Sequence, residues 1–298
     1  MRIAYLDCFS GISGDMTLAA LVDAGANREK LESELRKLPL GPFRLDWTTV
    51  IKKGVSALKV DVIDEEAHSH HAASVSTLKQ LPVVKHHGHD HGDDHDEHHH
   101  GHEHHDQHHR QQHAHAEHHH HHHHPHAHRR YKEIVEMIEG AGLPARVTKR
   151  ALAIFHEIGV AEAKIHNVSI DTVHFHEVGA LDSIVDIVGV ALALEELRID
   201  ELYCGPVPTG NGFIRCDHGL YPVPAPATLE MLKEIPLRST NIQKELTTPT
   251  GAGIAAALVK YFGPLPSMTV EAIGYGAGTR DLPDQPNVLR ILIGELNP

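Results

Sequence analysis

The sequence predicts an α/β protein, a mixed sheet flanked by helices and interrupted by a long His-rich insertion. Two observations carry this. Short β-branched and aromatic runs alternate with segments of helical period through much of the chain. In addition, 24 of the 32 histidines crowd into residues 86–128, where eight carboxylates, one arginine and only three apolar residues, all alanine, accompany them. Such a stretch has too little apolar surface to build a core. The 298 residues are therefore read as an N-terminal α/β part of the core (1–66), a disordered metal-binding insertion (67–129) and the remainder of the core (130–298).

Each element has a local reason. Residues 3–6 read as a buried strand ending at Asp7, and the glycine-containing segment 10–16 turns into an apolar helix that runs to residue 24. Asn27 can cap a second helix over 28–37, which Pro39 stops. Two strand-like runs within 43–63 flank Lys52-Lys53-Gly54 and predict a hairpin. Beyond the insertion, helices are expected at 131–139 and 144–163, a strand-like run at 173–178, a long apolar helix at 180–197 and a strand at 199–204. Glycine and proline make 205–227 a loop or hairpin; helices at 226–233 and 251–261 and strands at 268–273 and 288–293 follow.

Composition excludes several classes. The formal charge is −13, of which −7 falls in the His tract, so no basic stripe for nucleic acid is present. No apolar run reaches bilayer length, and the first residues lack a signal-peptide core. Cys8, Cys204 and Cys216 are widely spaced without a C-x-x-C, which argues against a disulfide framework and for a cytoplasmic location. A homo-oligomer is compatible with everything so far.

The tract offers neutral imidazole with no thiolate, a ligand set for borderline divalent ions such as nickel and zinc. It reads as a store or delivery arm, or as a solvated insertion that binds metal only because polyhistidine does. Three fixed constellations stand outside it. In the first, His174 and His176 share one face of an extended run, and Glu177, Asp182 and Asp186 follow across a strand-to-helix corner. This suits an N/O metal site or an acid/base pair, or else half-buried strand histidines and a helix cap. In the second, Asp7 and Asp15 flank a short glycine loop that can present N–H groups to an anion, or form a plain turn. The third places Cys216 and His218 two residues apart as metal candidates, with Arg215 placed to meet an acidic substrate. Finally, Thr247, Thr248, Thr250 and Gly251 precede an apolar helix, to cradle a phosphate or to cap the helix.

Four segments together, DCFSGISGDM (7–16), HFHEVGALDSIVDIVG (174–189), HGLYPVPAPAT (218–228) and ELTTPTGAG (245–253), resemble the nickel-insertion proteins of nickel-pincer cofactor biosynthesis, the LarC family. The resemblance implies Ni(II) insertion into pyridinium-3,5-bisthiocarboxylic acid mononucleotide, with CTP consumed, and a recipient racemase or epimerase of the lactate racemase type. It also implies that CTP and its divalent ion belong to a further C-terminal domain, here a separate fragment or partner. On this reading His174, His176, Glu177, Asp182 and His218 handle the metal. Asp7, Asp15, His176, Glu177 and Asp182 serve the chemistry, and Arg215, Thr247, Thr248, Thr250 and Gly251 hold the substrate phosphate. The rivals are a non-enzymatic His-rich nickel metallochaperone or store, and a metal-dependent hydrolase built on the same His/Asp corner.

Overall fold

A computed structural model describes residues 1–66, 129–175, 178–216 and 218–297. The His tract lies outside them, as do His176 and Glu177. The chain enters on strand β1 (Arg2–Asp7), followed by helices α1 (Gly14–Asp23) and α2 (Arg28–Leu35) and the hairpin β2 (Phe43–Lys52) and β3 (Val55–Asp64). Lys53 and Gly54 both take positive φ at its tip, the conformation a tight two-residue hairpin turn requires. Past the insertion come β4 (Arg129–Arg130), α3 (Tyr131–Gly140), α4 (Ala145–His166), β5 (His174–Phe175) and α5 (Leu181–Glu196). Next are β6 (Glu201–Cys204), β7 (Val207–Pro208), the hairpin β8 (Phe213–Cys216) and β9 (Gly219–Pro222), and α6 (Pro226–Met231). The chain closes with β10 (Leu237–Arg238), α7 (Pro249–Leu258), β11 (Val259–Phe262), β12 (Met268–Ala277) and β13 (Val288–Leu296).

The α/β expectation holds. Seven strands form one mixed sheet in the order β11-β6-β1-β13-β12-β3-β2. β1 runs parallel to β6 and antiparallel to β13, so the last strand of the chain lies beside the first. Two boundaries depart from the local pattern. Among the described residues the run at 173–178 pairs through His174 and Phe175 alone, against Arg130 and Arg129. The helix expected to reach residue 261 stops at Leu258, because Val259, Tyr261 and Phe262 pair with β6 at the sheet edge instead. β-branched and aromatic side chains suit that pleated surface.

Helices α1 and α7 both touch the sheet and each other, so they share one face; α4 and α5 pack over them. α1 approaches β12 closely because two strand positions lack side chains: a Cβ at Gly276 would stand 1.9 Å from the Met16 carbonyl oxygen, and one at Gly274 2.0 Å from that of Ala20. Helix α5 buries Ile184, Val185, Ile187, Val188, Val190 and Leu192 in the same interface. Each such side chain contributes about 1.5–3 kcal/mol. That apolar contact is strong enough to carry a carboxylate, Asp186, into the core beside them. The opposite sheet face is more open, with Ile273, Val270 and Tyr261 exposed. No helix among the described residues is long and apolar enough to cross a membrane.

Candidate functional site

The site begins where two helix starts are sewn together. Ile12 donates its N–H to the Leu246 carbonyl at 3.0 Å, and Thr248 returns one to the Ile12 carbonyl at 3.1 Å. Ser13 caps α1, accepting from the Met16 N–H, and Thr248 caps α7, accepting from the Gly251 N–H at 3.2 Å. The Thr250 hydroxyl oxygen accepts from the Gly14 N–H at 3.1 Å and lies 2.9 Å from that of Thr248. Gly251 makes this possible: a Cβ there would lie 2.1 Å from the Ile12 carbonyl oxygen. The glycine in ELTTPTGAG therefore serves a close backbone approach.

Beside this junction opens a cleft of about 580 Å³. Its lining carries Asp15 from α1, Asp46 and Asp61 from the β2–β3 hairpin, Asp182 and Asp186 from α5, and Glu245, with Ser13, Ser183, Thr248 and Thr250 among them. No lysine, arginine, histidine or cysteine is among the described residues that line it. Three of the six carboxylates have cationic partners: Arg44 pairs with Asp46, Lys59 with Asp61, and Arg280 lies 4.0 Å from Glu245. Asp15, Asp182 and Asp186 have no ion pair among the described residues.

Burial sets the protonation of the inner carboxylates. Asp186 is only 8% exposed, and burial pushes its carboxyl well above the usual range, with Asp15 and Asp182 adding to the shift. The Asp15 backbone N–H opposes this, while Asp186 Oδ1 has no hydrogen-bond partner. Burial also raises Asp15, against the Ser13 hydroxyl and the Met16 N–H that it accepts from. Asp182 is exposed in the first turn of α5 and accepts from the Ser183 N–H at 2.8 Å.

The remaining candidates lie elsewhere. Asp7 stands opposite Arg290 in the β1–β13 register and accepts from its guanidinium, so it is separated from Asp15 and does not line the cleft. His174 is exposed on β5 opposite Arg130. Thr247 is buried, donating to the Pro208 carbonyl at 2.7 Å. Arg215 is exposed on β8 opposite Leu220. His218 and Cys216 line a smaller hollow with His166 and Glu162 of α4. There the His166 and His218 ring centroids are 4.9 Å apart, and His166 Nε2 is 3.3 Å from Glu162. Pro249 borders both this hollow and the cleft. Among the described residues no group of three or more His, Cys, Asp and Glu side chains stands ready to hold a metal ion.

Asp46, Asp61, Arg280 and Glu162 are residues here that local sequence reading passes over. Arg280 faces a hollow that shares Ser13, Asp15 and Thr248 with the cleft. Asp186 carried a visible signal, a carboxylate inside an otherwise apolar helix; Asp61 sits in an ordinary strand alternation and carried none.

Fold and cleft together define an α/β protein with a carboxylate-lined cleft beside the N-termini of α1 and α7. The chain belongs to the nickel insertion protein family, whose model matches residues 4–297. It is 51% identical over 297 residues to a pyridinium-3,5-bisthiocarboxylic acid mononucleotide nickel insertion protein of Geobacillus kaustophilus, covering 99% of this chain and 60% of that protein. A Staphylococcus epidermidis protein of the same description is 44% identical over 98% of this chain and 59% of its own length. A putative nickel insertion protein of Citrifermentans bemidjiense is 40% identical over 99% and 62%. The chain thus spans about three fifths of the length of these curated relatives. No solved structure shows a significant match.

Proposed function

We propose that this chain performs the nickel-insertion step on pyridinium-3,5-bisthiocarboxylic acid mononucleotide, with the acidic cleft as the reaction site. The observation that carries the reading is the meeting, at one cleft, of three segments far apart in sequence: the loop before α1, the start of α5 and the start of α7. The cationic pyridinium ring and Ni(II) both suit a carboxylate-lined wall. Asp182, together with His176 and Glu177 just before Val178, holds the incoming Ni(II) for the two thiocarboxylates. His166, Cys216 and His218 offer a softer stopping point beyond Pro249. Thr248 and Thr250, at the start of α7, receive the phosphate.

Metallation of the ring carbon breaks a C–H bond and forms a nickel–carbon bond, with no change in electron count. The released proton needs an acceptor, and Asp15, whose proton affinity burial raises, supplies one. A cleft wall whose described residues include six carboxylates and no lysine or arginine does not fit a triphosphate. CTP use is therefore assigned to a C-terminal fragment or partner, and no step here is routed through it.

The test supplies the protein, the C-terminal fragment, the substrate mononucleotide, Ni(II) and CTP, and follows product mass. A nickelated product that disappears in Asp15→Asn and Asp182→Asn supports the reading. Undiminished product in both variants overturns the cleft assignment. The His tract favours a second reading, a non-enzymatic store or metallochaperone, which predicts nickel transfer to a recipient protein without substrate or nucleotide.

A further inference from the structure

The cleft poses a charge problem that nickel alone does not solve. Asp46, Asp61 and Glu245 pair with Arg44, Lys59 and Arg280, whereas Asp182 and Asp186 have no ion pair among the described residues, and Asp15 has only the more distant field of Lys59. Asp186 makes the imbalance specific. It lines the cleft, is more than nine-tenths buried, and keeps Oδ1 without a partner. A buried polar atom of this kind is destabilising unless something fills its valence. Asp182 and Asp186 are one helical turn apart on α5, so both carboxylates stand on one face.

The donor chemistry says what would fill it. Every polar side chain among the described lining residues is a carboxylate or a hydroxyl, a hard oxygen set that suits Mg(II) or Mn(II) and not a thiol- or imidazole-seeking ion. Three protein ligands drawn tightly together are not needed. Magnesium keeps several waters and takes one or two carboxylates, completing its shell with a substrate phosphate. We propose that the cleft holds a resident hard divalent cation, Mg(II) or Mn(II), on Asp186 and Asp182 with Asp15 facing it, distinct from the nickel that is inserted, Asp182 being the carboxylate the two ions share. Thr248 and Thr250 line the same cleft, and there the ion would bridge the acidic wall to the phosphate of the mononucleotide. That bridging role rests on the proposed insertion reading; the ion site does not.

The experiment uses the full chain stripped with chelator and titrated with Mn(II), the free ion being read by electron paramagnetic resonance. Millimolar Mg(II) then separates the sites, because magnesium competes for carboxylates and not for imidazoles of the His tract. One Mg(II)-displaceable Mn(II) per chain is expected, weakened by about tenfold or more in Asp182→Asn and in Asp186→Asn, with far-UV circular dichroism checking the fold of each. Two results overturn the proposal. One is the absence of a Mg(II)-displaceable ion, or its persistence unchanged in both variants. The other is a site that one equivalent of Ni(II) empties while millimolar Mg(II) does not, which makes the cleft a nickel site only. Nickel insertion is scored separately by product mass, so an intact manganese site without insertion activity sinks the functional reading and leaves this one standing.

Discussion

Asp186 fills the space that a side chain on Gly14 would need: a Cβ on Gly14 would lie 2.7 Å from the Asp186 Cβ and 2.8 Å from its Oδ2. The missing side chain at the start of α1 is what lets a carboxylate from the middle of α5 reach the cleft.

Gly14→Ala therefore pushes Asp186 out of place. Alanine is the better helix former, which favours the variant by up to about 1 kcal/mol, but overpacking costs about 1–3 kcal/mol and wins. Lower thermal stability and loss of insertion product are expected. A variant that melts at or above the parent temperature with full activity shows that the contact yields freely.

Gly251→Ala meets backbone instead, the Ile12 carbonyl at 2.1 Å, which cannot rotate aside. It should cost more stability than Gly14→Ala and separate the starts of α1 and α7, since the hydrogen bonds joining Ile12 to Leu246 and Thr248 depend on that approach. Urea melts of the two variants side by side check the order.

Asp186 also makes stability depend on pH. Its folded carboxyl keeps a proton that the unfolded chain, with a value of 3.8, has already released. The contribution is thus complete below that value and is lost as pH rises through the raised folded value. In chelator-stripped protein, Asp186→Asn removes this loss, so the variant should gain on the parent as pH climbs from 4 towards 8. A stability difference that stays flat across the range, or shrinks with rising pH, contradicts the assignment.

Asp7 and Asp15 separate the two carboxylates of the first motif by function. Asp7 is bound to Arg290 outside the cleft, and Asp15 lines it. Asp15→Asn should lower turnover by about a hundredfold if its carboxylate takes the proton, and more than Asp7→Asn does. Single-turnover product formation at saturating nickel decides between them, and equal losses would place both in the chemistry.

Thiol reactivity tests the packing of β1 against β6. Cys8 and Cys204 are buried with sulfurs 3.6 Å apart, and the contact with Cys8, then burial, pushes the Cys204 thiol up. Cys216 is partly exposed on β8. A chromogenic disulfide reagent at pH 8 should modify Cys216 quickly and the other two only on unfolding. Fast reaction of all three in the native protein would mean that this part of the sheet opens.

The sequence by itself determined the local matter: the alternation that makes the protein α/β, Asn27 as a helix cap, the tight turn at Lys53 and Gly54, and a His tract with no means of building a core. These follow from neighbours a few residues apart, where period, capping and turn chemistry act. Only the tertiary structure decided that β13 would lie between β1 and β12, that Thr250 would receive the Gly14 N–H across 236 residues, and that Asp15 would join Asp186 while Asp7 went to Arg290. Adjacent positions on a strand point to opposite faces, and partners so distant meet only when the sheet order and the close packing of α1, α5 and α7 are set by burial of the whole core.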